Sequence, residues 1–369
     1  MRKLGLIAVS LLLSMVLLEV LVRAVYMFNG RPPPHISQSL RNEWRWALRS
    51  LKAAGQSLPG VYAYHPRLGF VHQNAPGFQV NSDGMRATRD FSPNRVPGTS
   101  RMVLVGDSLT MGATVGYEDA FHRVLERDFL TDWEVLNLGT AAYGADQSLL
   151  MWEERGAKYQ PDIAVLGFYH RDFLRNLMFF KGYLKPYFTL DEAGSLELHT
   201  DHLMPPDALY SEYNEGRREV GGWHYSQAYA AIERVLTQWK TLDREDADWQ
   251  LMAAILRRFR DSARAAGAQP FLLIIPEQRH KVEGSEFEDI DRLALEEAER
   301  LGIPALSLRS VFHAEEDDER AYPLFREDGH LTVAGNCEMA RQLALALEEE
   351  GLLQAANAQT ATSSCAKPG

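Results

Sequence analysis

Short apolar runs alternate with amphipathic stretches over most of the chain after residue 100. Five runs are continuous and apolar, as in strands buried on both faces of a parallel sheet: Met102–Val105, Trp133–Leu138, Ile163–Phe168, Phe271–Ile275 and Ala305–Leu308. Helical spacing predicts helices over Ala120–Phe129, Ser148–Lys158, Trp249–Ala266, Ile290–Leu301 and Ala334–Glu350. Strands that alternate with helices predict an α/β fold in which helices cover both faces of a parallel sheet.

Two regions depart from this alternation. Residues 61–86 mix polar and apolar positions between Pro, Gly and Asn-Ser-Asp-Gly turns, which predicts short strands. The stretch 177–249 contains YFTLDEAGSLEL, a predicted hairpin, followed by a helical segment rich in Tyr and Trp. An insertion after the third strand can form a lid over the strand ends or pack as a structural appendage, and the sequence leaves both open.

The first 30 residues form the most apolar part of the chain. Arg2 and Lys3 precede the apolar run Leu4–Leu18, which favours a single-pass signal anchor over a cleaved signal peptide or a core helix. Glu19 and Arg23 are four residues apart and can pair on one helix face near the membrane boundary. We therefore expect the rest of the chain to lie outside the cytoplasmic membrane.

The predicted organisation follows from these patterns. It comprises an anchor over 1–30, a stalk and N-terminal extension over 31–100, a domain over 101–352 with an insertion at 177–249, and a disordered tail over 353–369. Within the extension, Arg31–Pro34 reads RPPP, a stiff spacer, and 38–55 has helical spacing.

Composition and charge narrow the function classes. The chain has 369 residues, 46% of them hydrophobic, which fits one large domain with additions. Its net charge of -11 argues against a nucleic-acid partner. Two cysteines, Cys337 and Cys365, provide neither a disulfide framework nor a metal site, although a bridge between them is possible in an oxidising compartment. No phosphate loop is present, so we expect no cofactor and no metal.

The segment VLVGDSLTMG carries the first candidate for chemistry. An apolar strand ends at Val105, Gly106 permits a tight turn, and Ser108 follows near the start of a helix. There its hydroxyl would be exposed at the sheet edge, close to backbone N–H groups that can stabilise an oxyanion. We expect Asp107 to have a structural role, bonding back to the loop.

A nucleophilic serine needs a base, and His330 in FREDGHLTVAG is the strongest candidate. Asp328 lies two residues earlier, so in an extended segment both side chains point to one side and the carboxylate can orient the imidazole. Glu327 would replace Asp328 if the segment formed a helical turn. His280 and His313 are rival bases without a comparable carboxylate.

Together these motifs resemble the SGNH/GDSL hydrolases, in particular their membrane-anchored bacterial branch. GDSLTMG, NLGTAAYGADQ and DGHLTVAGN agree with the family in order and spacing. YHPRLGF…VNSDGMR resembles the segment before the first strand of that branch, and KPYFTLDEAGSLEL resembles the stretch after its third strand, so the resemblance covers roughly Val61–Leu347. It implies a flavodoxin-like three-layer α/β/α sandwich and a triad of Ser108 as nucleophile, His330 as base and Asp328 as its orienter. It also implies a periplasmic domain on an inner-membrane anchor.

The family's oxyanion hole uses the serine N–H, a glycine N–H and an asparagine side chain. By this resemblance the positions are Ser108, Ala142 in place of glycine, and Arg171 in place of asparagine. Ala142 keeps a backbone N–H but tolerates fewer dihedral angles than glycine. Arg171 can donate hydrogen bonds with a different reach, and His170 or Asn176 are alternative donors.

The function implied is hydrolysis of acyl esters, acetyl esters in particular, through an acyl-enzyme on Ser108. Esters of envelope or exported glycans, or of lipids, fit the predicted location. Two alternatives remain open: an O-acetyltransferase on the same site, or a catalytically weak glycan-binding or assembly protein with this fold.

Overall fold

The computed structural model describes residues 10, 13–22, 24, 60–214, 248–278, 289–316 and 323–353. The chain divides into two compact units. The larger unit comprises Gly60–Phe179, Lys185–Leu203 and Gln250–Gly369, and the smaller comprises Met1–Pro59, Phe180–Leu184 and Met204–Trp249. All residues of the candidate site described below belong to the larger unit.

The described strands are β1 (Tyr62–His65), β2 (Gly69–His72), β3 (Ser100–Val105), β4 (Trp133–Asn137), β5 (Ile163–Phe168), β6 (Phe180–Lys181), β7 (Tyr183–Leu184), β8 (Tyr187–Leu190), β9 (Leu196–His199), β10 (Gln269–Ile274) and β11 (Ala305–Ser307). The described helices are α1 (13–22), α2 (Ser108–Met111), α3 (Phe121–Val124), α4 (Ala145–Met151), α5 (His170–Arg175), α6 (Pro206–Asn214), α7 (248–265), α8 (Ile290–Leu301), α9 (Arg309–Glu316) and α10 (Val333–Glu349). Helices α3 and α4 continue as π-helical turns, Leu125–Phe129 and Trp152–Gly156.

Five parallel strands form the central sheet, in the order β11-β10-β5-β3-β4. Numbered along the chain, these strands follow the flavodoxin-like order 2-1-3-4-5, read from the β4 edge. The strand order reverses between β3 and β5, and ligands of open α/β sheets bind outside the carboxyl ends of the strands at such a point. The predicted parallel sheet is confirmed, and its switch point lies beside Ser108.

Helices cover both faces of the sheet because successive strand side chains point to opposite sides. On one face, Met102 of β3 is buried in a core with Phe121 of α3 and Leu343 of α10. On the other, the indole of Trp152 packs edge-on against Phe259 of α7, with 6.1 Å between ring centroids. The three layers predicted from the sequence are therefore present.

Most predicted element bounds agree with the structure to within a few residues. Ile163–Phe168 and Ile290–Leu301 coincide with β5 and α8. The predicted hairpin is β8–β9, joined by a turn in which Asp191 Oδ1 accepts from two backbone N–H groups. The predicted helix over 38–55, residues 215–247 of the insertion and the tail from 354 lie outside the described residues.

The predicted membrane anchor is described only over residues 10, 13–22 and 24, which are helical. Within the described ranges, no helix combines the length and apolar character needed to cross a membrane. Cys337 on α10 is disulfide-bonded. The other cysteine of the sequence, Cys365, lies outside the described residues.

Candidate active site

Ser108 stands at the first position of α2, directly beyond the carboxyl end of β3. The side chain of Asp107 caps this helix, because its Oδ1 accepts from the Leu109 backbone N–H at 2.8 Å. Gly106 is required for the turn: a Cβ there would lie 2.8 Å from the Gly167 carbonyl oxygen of β5. The structural role expected for Asp107 is thus present, and the turn presents Ser108 at the switch point.

Beneath Ser108 lies a buried group of charges, here called the Arg175 cluster: Arg175, Asp107 and Asp172. Arg175 Nη1 donates to Asp107 Oδ2 at 3.0 Å and to Asp172 Oδ1 at 2.7 Å. Burial raises the pKa of Asp172 well above its usual range, and the neighbouring charge of Asp107 adds to this shift. One guanidinium therefore serves two buried carboxylates and ties the end of α5 to the serine turn.

A second buried ion pair, between Lys185 and Asp146, contacts the backbone at the end of α5. Lys185 Nζ bonds to Asp146 and donates to the carbonyl oxygens of Arg175 and Met178, each at 3.0 Å. Both charged side chains are almost completely buried. Removing either one would leave an uncompensated buried charge, so this pair helps to fix the helix that carries Arg175.

The structure brings Ser108 and His330 together. His330 Nε2 lies 3.0 Å from Ser108 Oγ, within hydrogen-bonding distance. Asp328 Oδ1 accepts from the His330 backbone N–H at 3.0 Å and lies 3.4 Å from the ring Nδ1. The distance between Asp328 Oδ1 and His330 Nδ1 is longer than that of a hydrogen bond. The hydrogen bond from the His330 N–H is the main cause that lowers the pKa of Asp328, so this carboxylate stays charged.

The other candidates for base and orienter occupy different places. His313 is buried, and its Nε2 pairs with the backbone oxygen of Glu277 at 2.9 Å. His280 lies outside the described residues. Residues 327–329 form a turn with Gly329 at a φ of 89°, and Asp328 is the carboxylate found at the imidazole.

Ala142 occupies a turn after β4 with a φ of 71°, in the left-handed region that favours glycine. The turn is closed by a hydrogen bond from the Tyr143 N–H to the Thr140 carbonyl at 3.1 Å. The Thr140 N–H in turn donates to the Gly106 carbonyl at 2.9 Å, which joins this turn to the serine turn. Ala142 thus has a backbone conformation that glycine adopts more readily than alanine.

Arg171 lies on the first turn of α5, and its guanidinium pairs with Glu277. Its Nη2 and Nε lie 3.2 and 3.3 Å from Glu277 Oε2, which also accepts from the Tyr169 hydroxyl at 2.7 Å. Burial alone would raise the pKa of Glu277, but the Tyr169 hydrogen bond and the Arg171 charge lower it. Burial lowers the pKa of His170 to about 4, so that imidazole is neutral near pH 7.

Sequence reasoning missed Glu277. It follows β10 at the carboxyl edge of the sheet and is only 3% exposed. A charged residue directly after a buried apolar run was the signal that could have found it. Asn176, one of the alternative oxyanion donors, is buried away from this task, since its Oδ1 accepts from the Asp146 backbone N–H at 3.0 Å.

These side chains surround a small cavity of about 200 Å³. It is lined by Ser108, Leu109, Tyr169, Arg171, Arg175, Glu277, Asp328, Gly329 and His330. Four of the nine residues carry formal charges, so the cavity is polar. Among the described residues, no three His, Cys, Asp or Glu side chains are grouped as a metal site requires.

Comparisons with known proteins give one kind of match. No protein-family model and no curated protein sequence matches the chain. Solved structures that resemble it include TesA (15% identity, 68% of this chain and 99% of that one, TM-score 0.40). The esterase EstA from Pseudoalteromonas sp. is 10% identical, with 69% of this chain and 100% of that one covered and a TM-score of 0.41. The acetyl xylan esterase AlAXEase is 14% identical, with 67% of this chain and 99% of that one covered and a TM-score of 0.40. At these sequence identities and TM-scores, the activity of a similar structure is not assigned to this protein. Its function is inferred from the site itself.

Proposed function

We propose that this protein is a serine esterase of the SGNH type, with Ser108 as nucleophile, His330 as general base and Asp328 as the residue that orients His330. The observation that carries the proposal is the 3.0 Å contact between Ser108 Oγ and His330 Nε2 at the rim of a cavity. The sheet's switch point is where the fold is expected to bind ligands, which supports the same location.

The geometry supports acyl transfer through a covalent intermediate. With its proton on Nδ1, facing Asp328, His330 accepts the hydroxyl proton of Ser108 at Nε2 as Oγ attacks the ester carbonyl carbon. The tetrahedral intermediate collapses when the alkoxide leaves and takes that proton from Nε2. Water then repeats the sequence on the acyl-enzyme and releases the carboxylic acid. The backbone N–H groups of Ser108 and Ala142 are proposed donors to the oxyanion, together with a side chain of α5.

The cavity favours a small acyl group, acetyl in particular. Pockets for drug-sized ligands commonly measure about 300–1,000 Å³ and are mostly apolar, whereas this one is about 200 Å³ and lined by four charged side chains. A long fatty acyl chain would bury apolar surface against charges. Acetyl esters of glycans outside the cytoplasm are the substrates that we propose.

We propose that the chain is anchored in the bacterial inner membrane by its N-terminal segment, with the esterase domain in the periplasm. The apolar side chains of α1 support this, since they are exposed to an extent of 41–68%: Leu13, Met15, Val16, Leu17, Leu18, Val20 and Leu21. The disulfide at Cys337 fits an oxidising compartment. Full-length protein should remain in the membrane pellet after carbonate extraction; release into the supernatant would contradict the anchor.

The test of the activity uses the full-length protein in detergent. We expect it to hydrolyse p-nitrophenyl acetate at least ~10³ times faster than Ser108→Ala, since removal of a nucleophile abolishes covalent catalysis. The octanoate ester should be a much poorer substrate. A fluorophosphonate should label the wild type and not the variant. A wild type that is no faster than Ser108→Ala and is not labelled at Ser108 would refute the esterase.

A further inference from the structure

The Arg175 side chain uses a single nitrogen atom for all of its hydrogen bonds to the described residues. Nη1 donates to both carboxylates of the Arg175 cluster and, at 2.9 Å, to the backbone oxygen of Tyr143. Nε and Nη2 have no hydrogen-bond partner among the described residues. Neither atom is fully buried. Both therefore have some solvent-accessible surface, and the Arg175 residue lines the cavity together with Ser108.

The anchors of Nη1 place the guanidinium between the two turns that carry the proposed backbone donors. Asp107 immediately precedes Ser108, and Tyr143 immediately follows Ala142. Arg175 bonds to both flanking residues within 3.0 Å. Its remaining N–H groups consequently lie beside the region where the backbone N–H groups of Ser108 and Ala142 would meet a substrate oxygen.

We propose that Arg175 donates the side-chain hydrogen bond to the oxyanion, the task that asparagine performs in the family pattern. The proposal rests on the esterase function proposed above. A donor that is charged and held rigidly in a partly buried site stabilises a developing negative charge without reorganisation. Arg175 meets these conditions, because its side chain is 12% exposed and three acceptors fix one end of the guanidinium.

Arg175 stays protonated and positively charged at any pH used for assay. Burial by itself would lower its pKa, but the charges of Asp172 and Asp107 outweigh burial and raise it. The two carboxylates also keep the local charge from being strongly positive in the absence of substrate. The oxyanion would be a third negatively charged partner, after Asp107 and Asp172, for a guanidinium that still has N–H groups to donate.

Arg171 provides a matched comparison on the same helix face, four residues earlier. Two of its nitrogen atoms face Glu277, and its side chain is 54% exposed. A guanidinium that is half exposed to solvent is less preorganised than that of Arg175. The two arginines line one cavity, so substitutions at each can separate the roles.

The test compares Arg175→Lys, Arg175→Gln and Arg171→Gln in the full-length protein. A lysine Nζ has three N–H groups, which the three acceptors of Nη1 would occupy, so Arg175→Lys keeps the anchor and loses the free donor. We expect both Arg175 variants to lower kcat for p-nitrophenyl acetate by ~10²–10³ with KM nearly unchanged. Arg171→Gln should lower kcat by less than ~10-fold.

Two further measurements separate the oxyanion from a merely structural role. Methylboronic acid, which forms an anionic tetrahedral adduct with serine, should bind Arg175→Lys more weakly by about the same factor as kcat/KM falls. The melting temperature of Arg175→Lys should stay near that of the wild type.

Three outcomes would overturn the proposal: wild-type kcat in Arg175→Lys, a loss of kcat that accompanies a lowered melting temperature in both Arg175 variants, or an equal loss in Arg171→Gln. An inactive wild type would instead refute the esterase function itself, which distinguishes the two failures.

Discussion

The two halves of the proposed catalytic pair are held in opposite ways. On the serine side, Asp107 and Asp172 are each about 1% exposed and are bound by Arg175. On the histidine side, the Asp328 and His330 side chains are 55% and 30% exposed. The two residues belong to one turn, in which the His330 backbone N–H donates to Asp328 Oδ1. The position of the nucleophile is therefore coupled to the stability of the fold, whereas the contact between Asp328 and the His330 ring lies partly in solvent.

This difference predicts which substitutions alter stability and which alter activity alone. A charge removed from the Arg175 cluster leaves other charges buried without partners, which strongly destabilises the folded state. A charge removed from the surface turn leaves its neighbours in water, where the cost is small. Two substitutions test this contrast and a third tests the turn at Ala142, beginning with the largest expected effect.

Asp107→Ala should strongly affect both properties. It removes the helix cap on Leu109 and one of the two carboxylates of Arg175, for which we expect a loss of about 2–4 kcal/mol in the free energy of unfolding. The kcat for p-nitrophenyl acetate should fall as well, because the serine turn loses its anchor. Denaturant unfolding measures the first effect. An unchanged unfolding midpoint would contradict the coupling of nucleophile and fold.

Asp328→Asn should lower activity and leave stability almost unchanged. The amide cannot stabilise the imidazolium as a carboxylate does, so we expect kcat to fall by about 10²-fold. Because the side chain is half in water, the free energy of unfolding should change by less than about 0.5 kcal/mol. Glu327→Gln, one residue earlier, is the matched control. A larger loss of kcat in the control would transfer the orienting role to Glu327.

Ala142→Gly should have the smallest effect, and it should raise the free energy of unfolding instead of lowering it. A Cβ at a φ of 71° costs roughly 1–2 kcal/mol, from which the greater freedom of glycine in the unfolded chain subtracts about 0.4–1 kcal/mol. The free energy of unfolding should therefore rise by up to about 1.5 kcal/mol. Ala141→Gly, where φ is negative, should instead destabilise. Equal effects at both positions would show that the backbone of Ala142 is unstrained.

Much of the fold could be predicted from the sequence because its signals are local. Continuous apolar runs located the five strands of the sheet, and helical spacing located α8 to the residue. The tripeptide at 106–108 implied a turn after a strand, and the parallel order of the strands implied where that turn would lie.

The rest of the site depends on contacts between distant segments. Glu277 meets Arg171 only because β10 lies beside β5 in the sheet. Two arginines at positions four apart on a helix look equivalent in a sequence, and only the packing of α5 binds one to Asp107 and the other to Glu277. The left-handed conformation of Ala142 likewise has no local signal, since alanine does not favour it.

The nucleophile and its proposed base are separated by 222 residues in the chain. The segment that carries His330 is tied to the first half of the domain, since Thr114 donates to the Leu331 carbonyl and Asn336 accepts from the Phe121 N–H. During synthesis, Ser108 is therefore made long before it can gain a base. Ester turnover would begin only after α10 has docked, which would make the reaction itself a readout of completed folding in a pulse-chase or refolding experiment.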